Sequence, residues 1–276
     1  MRLYLSAVFE CSQLRNLIKQ GKKNEYENLI RETHILASFA YHNKEHEEYY
    51  PLAKSILMDS GAFTYMGQGL RTGKVFDAMA YCKKYATYVK EHNIENFIEL
   101  DVEGVTGFKT YVDCLHQLQD ITGKDPIYVY HKWRGIEYYK ELVKKHHYVC
   151  LGDVDTITRN KSQEKYFKWF VDEAHKYGTK VHGLAFTKMD ELKKIPFDSV
   201  DSSSWSAAAR FASLPFFNGR ELKKVSYTRF GNKTLDAEKG MLHSYIEWKK
   251  LSQYWEQFEG VWNCDMDNSL LLRSLE

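Results

Sequence analysis

Eight short apolar runs lie within residues 1–205, most of them ending in a polar residue, and stretches of helical character separate most of them. That alternation constrains the fold most strongly, because strands interleaved with helices build a parallel sheet covered on both faces. The runs span residues 2–9, 34–41, 56–58, 96–102, 127–133, 148–154, 180–186 and 197–203. Residues 74–91 carry the clearest helical stripe, with Val75, Met79, Cys82, Ala86 and Val89 at spacings of four, three, four and three. Helices are also expected over 108–121, stopped by Gly123, and over 136–145, 162–177 and, briefly, 190–194. Residues 10–31 read as helix and loop and 42–50 as helix. Residues 64–73, with Gly67, Gly69 and Gly73 and no apolar period, read as a loop. Eight strands in this length predict an α/β fold of the (β/α)8 TIM-barrel type. An open doubly wound sheet lacks its signature, since no Gly-x-Gly-x-x-Gly follows the first run.

In such a barrel the chemistry sits at the carboxyl ends of the strands. Asp59, Asp101, His131, Gly152-Asp153, Gly183 and Asp201 all fall late in their runs. In Ile56-Leu57-Met58-Asp59-Ser60-Gly61-Ala62-Phe63, an apolar run delivers an acid, a hydroxyl and a glycine to one strand end. An acid there is costly unless something pairs or uses it, and Gly61 permits a sharp turn or a close approach. A helix cap is the plain alternative for Asp59. Asp59 and Asp201, on the third and eighth runs, form a candidate pair for glycosidic chemistry, one attacking the anomeric carbon while the other manages a proton. Asp198 reads as a structural or surface acid, Asp153 as a second polar contact or a turn residue, and His146-His147 as a solvated helix end. His131 reads as a core or rim histidine that only its position singles out.

The whole chain, 1–276, reads as one domain: a barrel to about residue 205, then a basic, helical C-terminal extension over 206–276. A short extra strand is expected at 225–230. A helix is expected at 242–258, with Tyr245, Trp248, Leu251, Trp255 and Phe258 at helical spacing. Between Trp205 and Lys250 the nine Lys and Arg residues exceed the acids by five; most read as a solvated face, and a basic flank holding phosphates beside the barrel mouth is the functional alternative. The overall charge of +2 is too small to define a nucleic-acid binder by itself. The five scattered cysteines suggest neither a disulfide framework nor a zinc knuckle. With no long apolar run and no charged leader followed by an apolar block, a soluble cytoplasmic protein is expected.

Met58-Asp59-Ser60-Gly61-Ala62-Phe63 resembles the Asp-Ser-Gly-Gly-Phe motif of the tRNA-guanine transglycosylase superfamily, and Pro196-Phe197-Asp198-Ser199-Val200-Asp201-Ser202 resembles its eighth-strand Gly-Val-Asp-Met-Phe-Asp-Cys segment. Between them, Leu100-Asp101 resembles a base-reading aspartate, and Val129-Tyr130-His131 falls where the family has Val-Gln. Leu151-Gly152 resembles a glycine whose backbone touches the base, and His182-Gly183-Leu184 the element flooring the pocket. The resemblance covers roughly residues 1–205. It implies Asp201 as nucleophile and Asp59 as general base, with Ser60, Asp101, His131, Gly152, Asp153 and Gly183 around the base. It implies neither a metal nor a redox cofactor.

The family's tRNA enzymes carry three closely spaced cysteines and a histidine for zinc after the eighth strand, whereas here only Cys264 lies beyond Cys150. The chain is thus more similar to the DNA-acting branch, found in bacteria and phages, which exchanges guanine in DNA for a 7-deazaguanine such as preQ0 (7-cyano-7-deazaguanine). The implied partners are DNA and the free deazaguanine base. The alternatives are a tRNA-type enzyme without zinc, a non-catalytic barrel that binds nucleic acid, and a barrel hydrolase with a metal bound by Asp59 and Asp101.

Overall fold

The computed structural model describes residues 1–72, 76–152, 164–186, 192–210, 213–226 and 236–257. Its centre is an eight-stranded, curled parallel sheet flanked by helices, a TIM-like α/β arrangement. The strands are β1 (Arg2–Ser6), β2 (His34–Ser38), β3 (Ser55–Asp59), β4 (Asn96–Phe97), β5 (Tyr128–Tyr130), β6 (Tyr148–Leu151), β7 (Lys180–Gly183) and β8 (Ser199–Ser202). Their order is β4-β3-β2-β1-β8-β7-β6-β5. Beyond the outer strands, Ile98 and Ile127 form a parallel bridge, and the Glu99 N–H donates to the Ile127 carbonyl at 3.0 Å.

Alternation along the strands sorts the side chains onto two faces. Leu3, Leu5, Ile35, Ala37, Met58, Phe97, Tyr128, Val149, Val181 and Val200 belong to the large cluster that the helices share. Tyr4, Leu36, Leu57, Ile98, Ile127, Val129 and Cys150 form a second, separate cluster. Residues of six β-segments meet there, so the inner face of the curled sheet has a core of its own.

The flanking helices are α1 (Ser12–Lys19), α2 (Lys23–Ile30), α3 (Lys44–Glu47), α4 (Ala62–Thr72), α5 (Ala78–Glu91), α6 (Glu103–Thr106), α7 (Phe108–Thr122), α8 (Ile136–Lys145) and α9 (Glu164–His175). Asp77 caps α5 by accepting from the Ala80 N–H at 2.9 Å, and the expected stripe is buried through Cys82, Ala86 and Val89. Val75, the first residue of that stripe, lies outside the described residues. Gly123, left-handed at φ +66°, ends α7 as expected.

Several expected boundaries change. The loop expected at 64–73 is helix α4 through Thr72, with residue 73 outside the described residues. Glycines 67 and 69 each cost a helix about 1 kcal/mol, and tertiary contact outweighs the missing apolar period. Tyr65 packs on Tyr81 and Phe76, at centroid separations of 4.8 and 5.8 Å. The second run stops pairing at Ser38, and Phe39–Tyr41 wind into a 3-10 turn. The fourth run is a strand only over Asn96–Phe97, and its backbone pairing ends at Glu99, whose N–H bonds the Ile127 carbonyl. At the next rung the Glu99 carboxylate, not its carbonyl, takes the Val129 N–H at 2.8 Å, so Asp101 lies past the strand.

The extension contains more than helix. Of the extra strand expected at 225–230, residues 225 and 226 lie in Leu222–Ser226 (β10) and 227–230 lie outside the described residues; β10 pairs antiparallel with Ser213–Phe217 (β9), which carries Pro215. A two-stranded ribbon tolerates a residue that cannot donate. The helix Ala237–Glu256 (α10) begins five residues before the apolar stripe suggested, because Asp236 caps it through the Glu238 and Lys239 N–H groups. Phe258 lies outside the described residues. Tyr245, Trp248, Leu251 and Trp255 are buried, and the Ser252 hydroxyl donates to the Leu3 carbonyl at 2.8 Å, so α10 is fastened to β1. No described helix is long and apolar enough to cross a membrane.

The turn from β3 into α4 depends on Gly61. Its φ is +68°, and a Cβ there would stand 2.4 Å from Ala40 Cβ and 2.7 Å from the Ala40 nitrogen. Gly61→Ala therefore combines left-handed strain with a backbone clash, and should lower unfolding free energy by about 3 kcal/mol in denaturant titrations. Gly21→Ala, at a left-handed turn with nothing within 4 Å, should cost much less.

Candidate active site

Asp59 ends β3 in register with Ser38 of β2. Its Oδ2 accepts from the Gly61 N–H at 3.1 Å and from the Ser38 hydroxyl at 3.4 Å. Burial pushes its carboxyl up to about 6, against the pull of the Gly61 N–H, and the charges of Asp201 and Asp101 push the same way as burial. The motif thus supplies both the acid and the turn that partly satisfies it, and it also starts a helix.

Asp201 lies in β8, 7% exposed, and is held from three sides. The Ser6 hydroxyl donates to Oδ2 at 2.7 Å, the Ala185 N–H donates to Oδ1 at 2.7 Å, and His182 Nε2 lies 3.3 Å from Oδ1. Ala185 is left-handed at φ +52°, a conformation that costs a non-glycine residue energy and here aims its N–H at a carboxylate. Tyr148, Ser199 and His182 form a chain behind it, with Ser199 Oγ 2.6 Å from His182 Nδ1 and the Tyr148 hydroxyl on Ser199. If His182 Nε2–H donates to Asp201, each hydroxyl has one proton to pass along, and the order is Tyr148 to Ser199 to His182 to Asp201.

Asp101 and His131 meet directly, with Asp101 Oδ2 2.7 Å from His131 Nε2. The imidazole stacks on Trp133, centroids 5.5 Å apart and planes 12° apart. Gly152 provides the room, because a Cβ there would approach His131 Cε1 to 2.7 Å. The two expected base-reading side chains are therefore partners of each other over a glycine that must stay bare. Ser60 is buried, and it fastens the turn: its hydroxyl lies 3.5 Å from the Ala62 nitrogen, and its carbonyl accepts from the Tyr81 hydroxyl at 2.7 Å. Gly183 packs under the Phe197 ring, where a Cβ would meet that ring at 3.1 Å and the Phe186 Cβ at 3.2 Å. Asp153 lies outside the described residues. Asp198 bonds the Val181 N–H at 2.7 Å and His175 at 2.9 Å, and His146 pairs with Asp125 at 2.7 Å.

Sequence reading missed Ser6, Ala185 and Glu99. Glu99 is 1% exposed, and burial pushes its carboxyl up to about 7 although the Val129 N–H, the Tyr111 hydroxyl and Arg134 oppose that. A glutamate within an apolar run was the available signal for Glu99. A backbone N–H such as that of Ala185 leaves none. Cys150 reports the common field: burial, then the charges of Asp201, Glu99, Asp59 and Asp101, raise its thiol far above the ordinary range. The arrangement offers one carboxylate fixed by donors on both oxygens, a second that exchanges a proton near neutral pH, and a third paired with an imidazole.

Among the described residues, no three His, Cys, Asp or Glu side chains are grouped to hold a metal ion. No protein-family model matches this chain, and neither does any curated protein.

The raised Asp59 carboxyl has a consequence for stability. The native state binds this proton more tightly than the unfolded chain, so the ionised group costs stability as pH rises from about 4 to above 6. Asp59→Asn should therefore be more stable than the parent at pH 8, by up to about 3 kcal/mol. In urea titrations that advantage should vanish below about pH 4.

Proposed function

We propose that this chain is a guanine transglycosylase that exchanges guanine in DNA for a 7-deazaguanine of the preQ0 type. The observation that carries the reading is the pair Asp59 and Asp201: Asp59 ends β3, Asp201 is the next-to-last residue of β8 in the same curled sheet, and the charge of Asp201 raises the proton affinity of Asp59. The likeness of the two segments around these acids to the transglycosylase superfamily supports it. The reading calls for a closed (β/α)8 barrel, which the strand order and the bridge between Ile98 and Ile127 support.

In the proposed reaction the target guanosine leaves the base stack, since its glycosidic bond is shielded in a duplex. An Asp201 oxygen attacks C1′, the C1′–N9 bond breaks, and a deoxyribosyl ester of Asp201 forms. Asp59 protonates the departing guanine, then takes the N9 proton of the incoming deazaguanine. That nitrogen attacks C1′ and releases the Asp201 carboxylate. Two displacements retain the anomeric configuration. A carboxyl near 6 serves both directions of proton transfer at neutral pH. Asp101, positioned by His131, and the backbone at Gly152 would read the base edge. The basic residues after Ser204 supply charge for the phosphate backbone.

The test is incubation of the protein with labelled preQ0 and, side by side, duplex DNA, single-stranded DNA and tRNA, followed by nucleoside analysis. Label should enter DNA with the parent chain and fall at least a thousandfold with Asp201→Ala. Entry into tRNA alone would replace the DNA assignment, and incorporation undiminished in Asp201→Ala would remove the nucleophile.

A further inference from the structure

A cavity of about 380 Å³ lies on the flank of the sheet between α1, α2 and α3. Its walls include Ser12, Arg15, Lys19, Tyr26, His46 and Tyr49, none of which holds Asp59 or Asp201. The volume suits a small organic ligand.

Two of these groups are unfinished. His46 is 5% exposed, and its Nε2 is buried without a hydrogen-bond partner. Arg15 Nε is likewise buried and unpartnered, as is the Oε2 atom of nearby Glu10. Buried polar atoms in folded proteins are nearly always satisfied, and an orphaned guanidinium N–H is expensive. Phe9 stacks on the His46 ring at 5.9 Å and helps fix its position. Arg15 and Lys19 on α1 and His46 on α3 all line the cavity, so a guanidinium, an ammonium and an imidazole border one space.

The charge pattern selects the ligand. Arg15 and Lys19 contribute cations, while Glu45 and Glu48 line the same cavity, and Glu48 is already engaged by Lys23 at 3.5 Å. A guanidinium favours phosphate or carboxylate oxygens. The imidazole nitrogen, which gives or takes one hydrogen bond, suits a phosphate oxygen in either protonation state. Tyr26 and Tyr49, packed edge to face at 4.9 Å, and Ile18 leave an apolar wall for a ring or sugar. We propose that this cavity is a binding site for a small phosphate monoester of mononucleotide size, its phosphate held by Arg15 and His46. The proposal stands apart from the reaction assigned to the carboxylates.

Calorimetric titration of the whole chain with inorganic phosphate, GMP and guanosine tests it. GMP should bind saturably to the parent and equally to Asp201→Ala, and guanosine should not bind. Arg15→Gln and His46→Gln should each weaken GMP at least tenfold with unchanged far-ultraviolet circular dichroism. If Arg15→Gln fails to fold, His46→Gln decides alone. A 5′-phosphorylated oligonucleotide that displaces GMP assigns the phosphate to a nucleic-acid end, and one that leaves it bound assigns it to a free nucleotide; both keep the site. Absence of saturable binding at millimolar GMP, binding unaffected by both substitutions, or binding lost in Asp201→Ala would overturn it.

Discussion

A carboxylate enclosed at the end of a buried strand has to be met by donors, and the pairing of β8 with β1 and β7 is what brings those donors to Asp201. Ser6 comes from one neighbouring strand, His182 from the other, and the Ala185 N–H from the turn that leaves β7. A one-residue slip on either side would turn Ser6 or His182 toward the helices and leave the charge uncompensated. The register of three adjacent strands and the state of one side chain are therefore the same structural fact. The C-terminal segment reinforces it. The Trp205 indole N–H donates to the Ser6 carbonyl at 2.7 Å, and the Ser244 hydroxyl of α10 donates to the Trp205 carbonyl at 2.6 Å. Beyond whatever its basic residues contact, the extension thus braces the strand that presents Ser6.

The two principal acids differ in the company they keep. Asp201 has donors on both oxygens. The Gly61 N–H and the Ser38 hydroxyl both meet Asp59 on Oδ2, and burial outweighs them. Different environments give chemically identical groups different tasks, and in the proposed exchange one acts as nucleophile and the other as proton carrier. The Asp101–His131 pair adds a third carboxylate whose direction is set by an imidazole. Gly152 keeps its place because the ring needs the space a side chain would fill.

Much of the fold was legible because it is local. The stripe of α5, the Gly123 stop of α7 and the full span of α8 follow from periodicity and capping within a dozen residues of chain. Elsewhere, contacts between residues distant in sequence decide the local structure. Tyr65 packing on Tyr81 makes a helix of a glycine-bearing stretch, the Glu99 carboxylate takes the Val129 N–H where the backbone ladder ends, and Pro215 sits in a ribbon that exists only because Leu222–Ser226 lies beside it. In the site, Asp59, Asp101, His131 and Asp201 stood out as polar residues closing apolar runs. Ser6 did not, since a serine at a strand end is ordinary until its partner is known.

By itself the amino-acid order determined the alternation of strand and helix, the acids that close the strands, and the turn that Gly61 requires, because these follow from sterics and hydrophobic period over short spans. Only the tertiary structure decided that Asp101 bonds His131, that Ser6, His182 and the Ala185 N–H converge on Asp201, and that Asp59 keeps its proton toward neutral pH. Hydrogen bonds and desolvation act between groups that are neighbours in space, and strand register, not chain position, makes them neighbours.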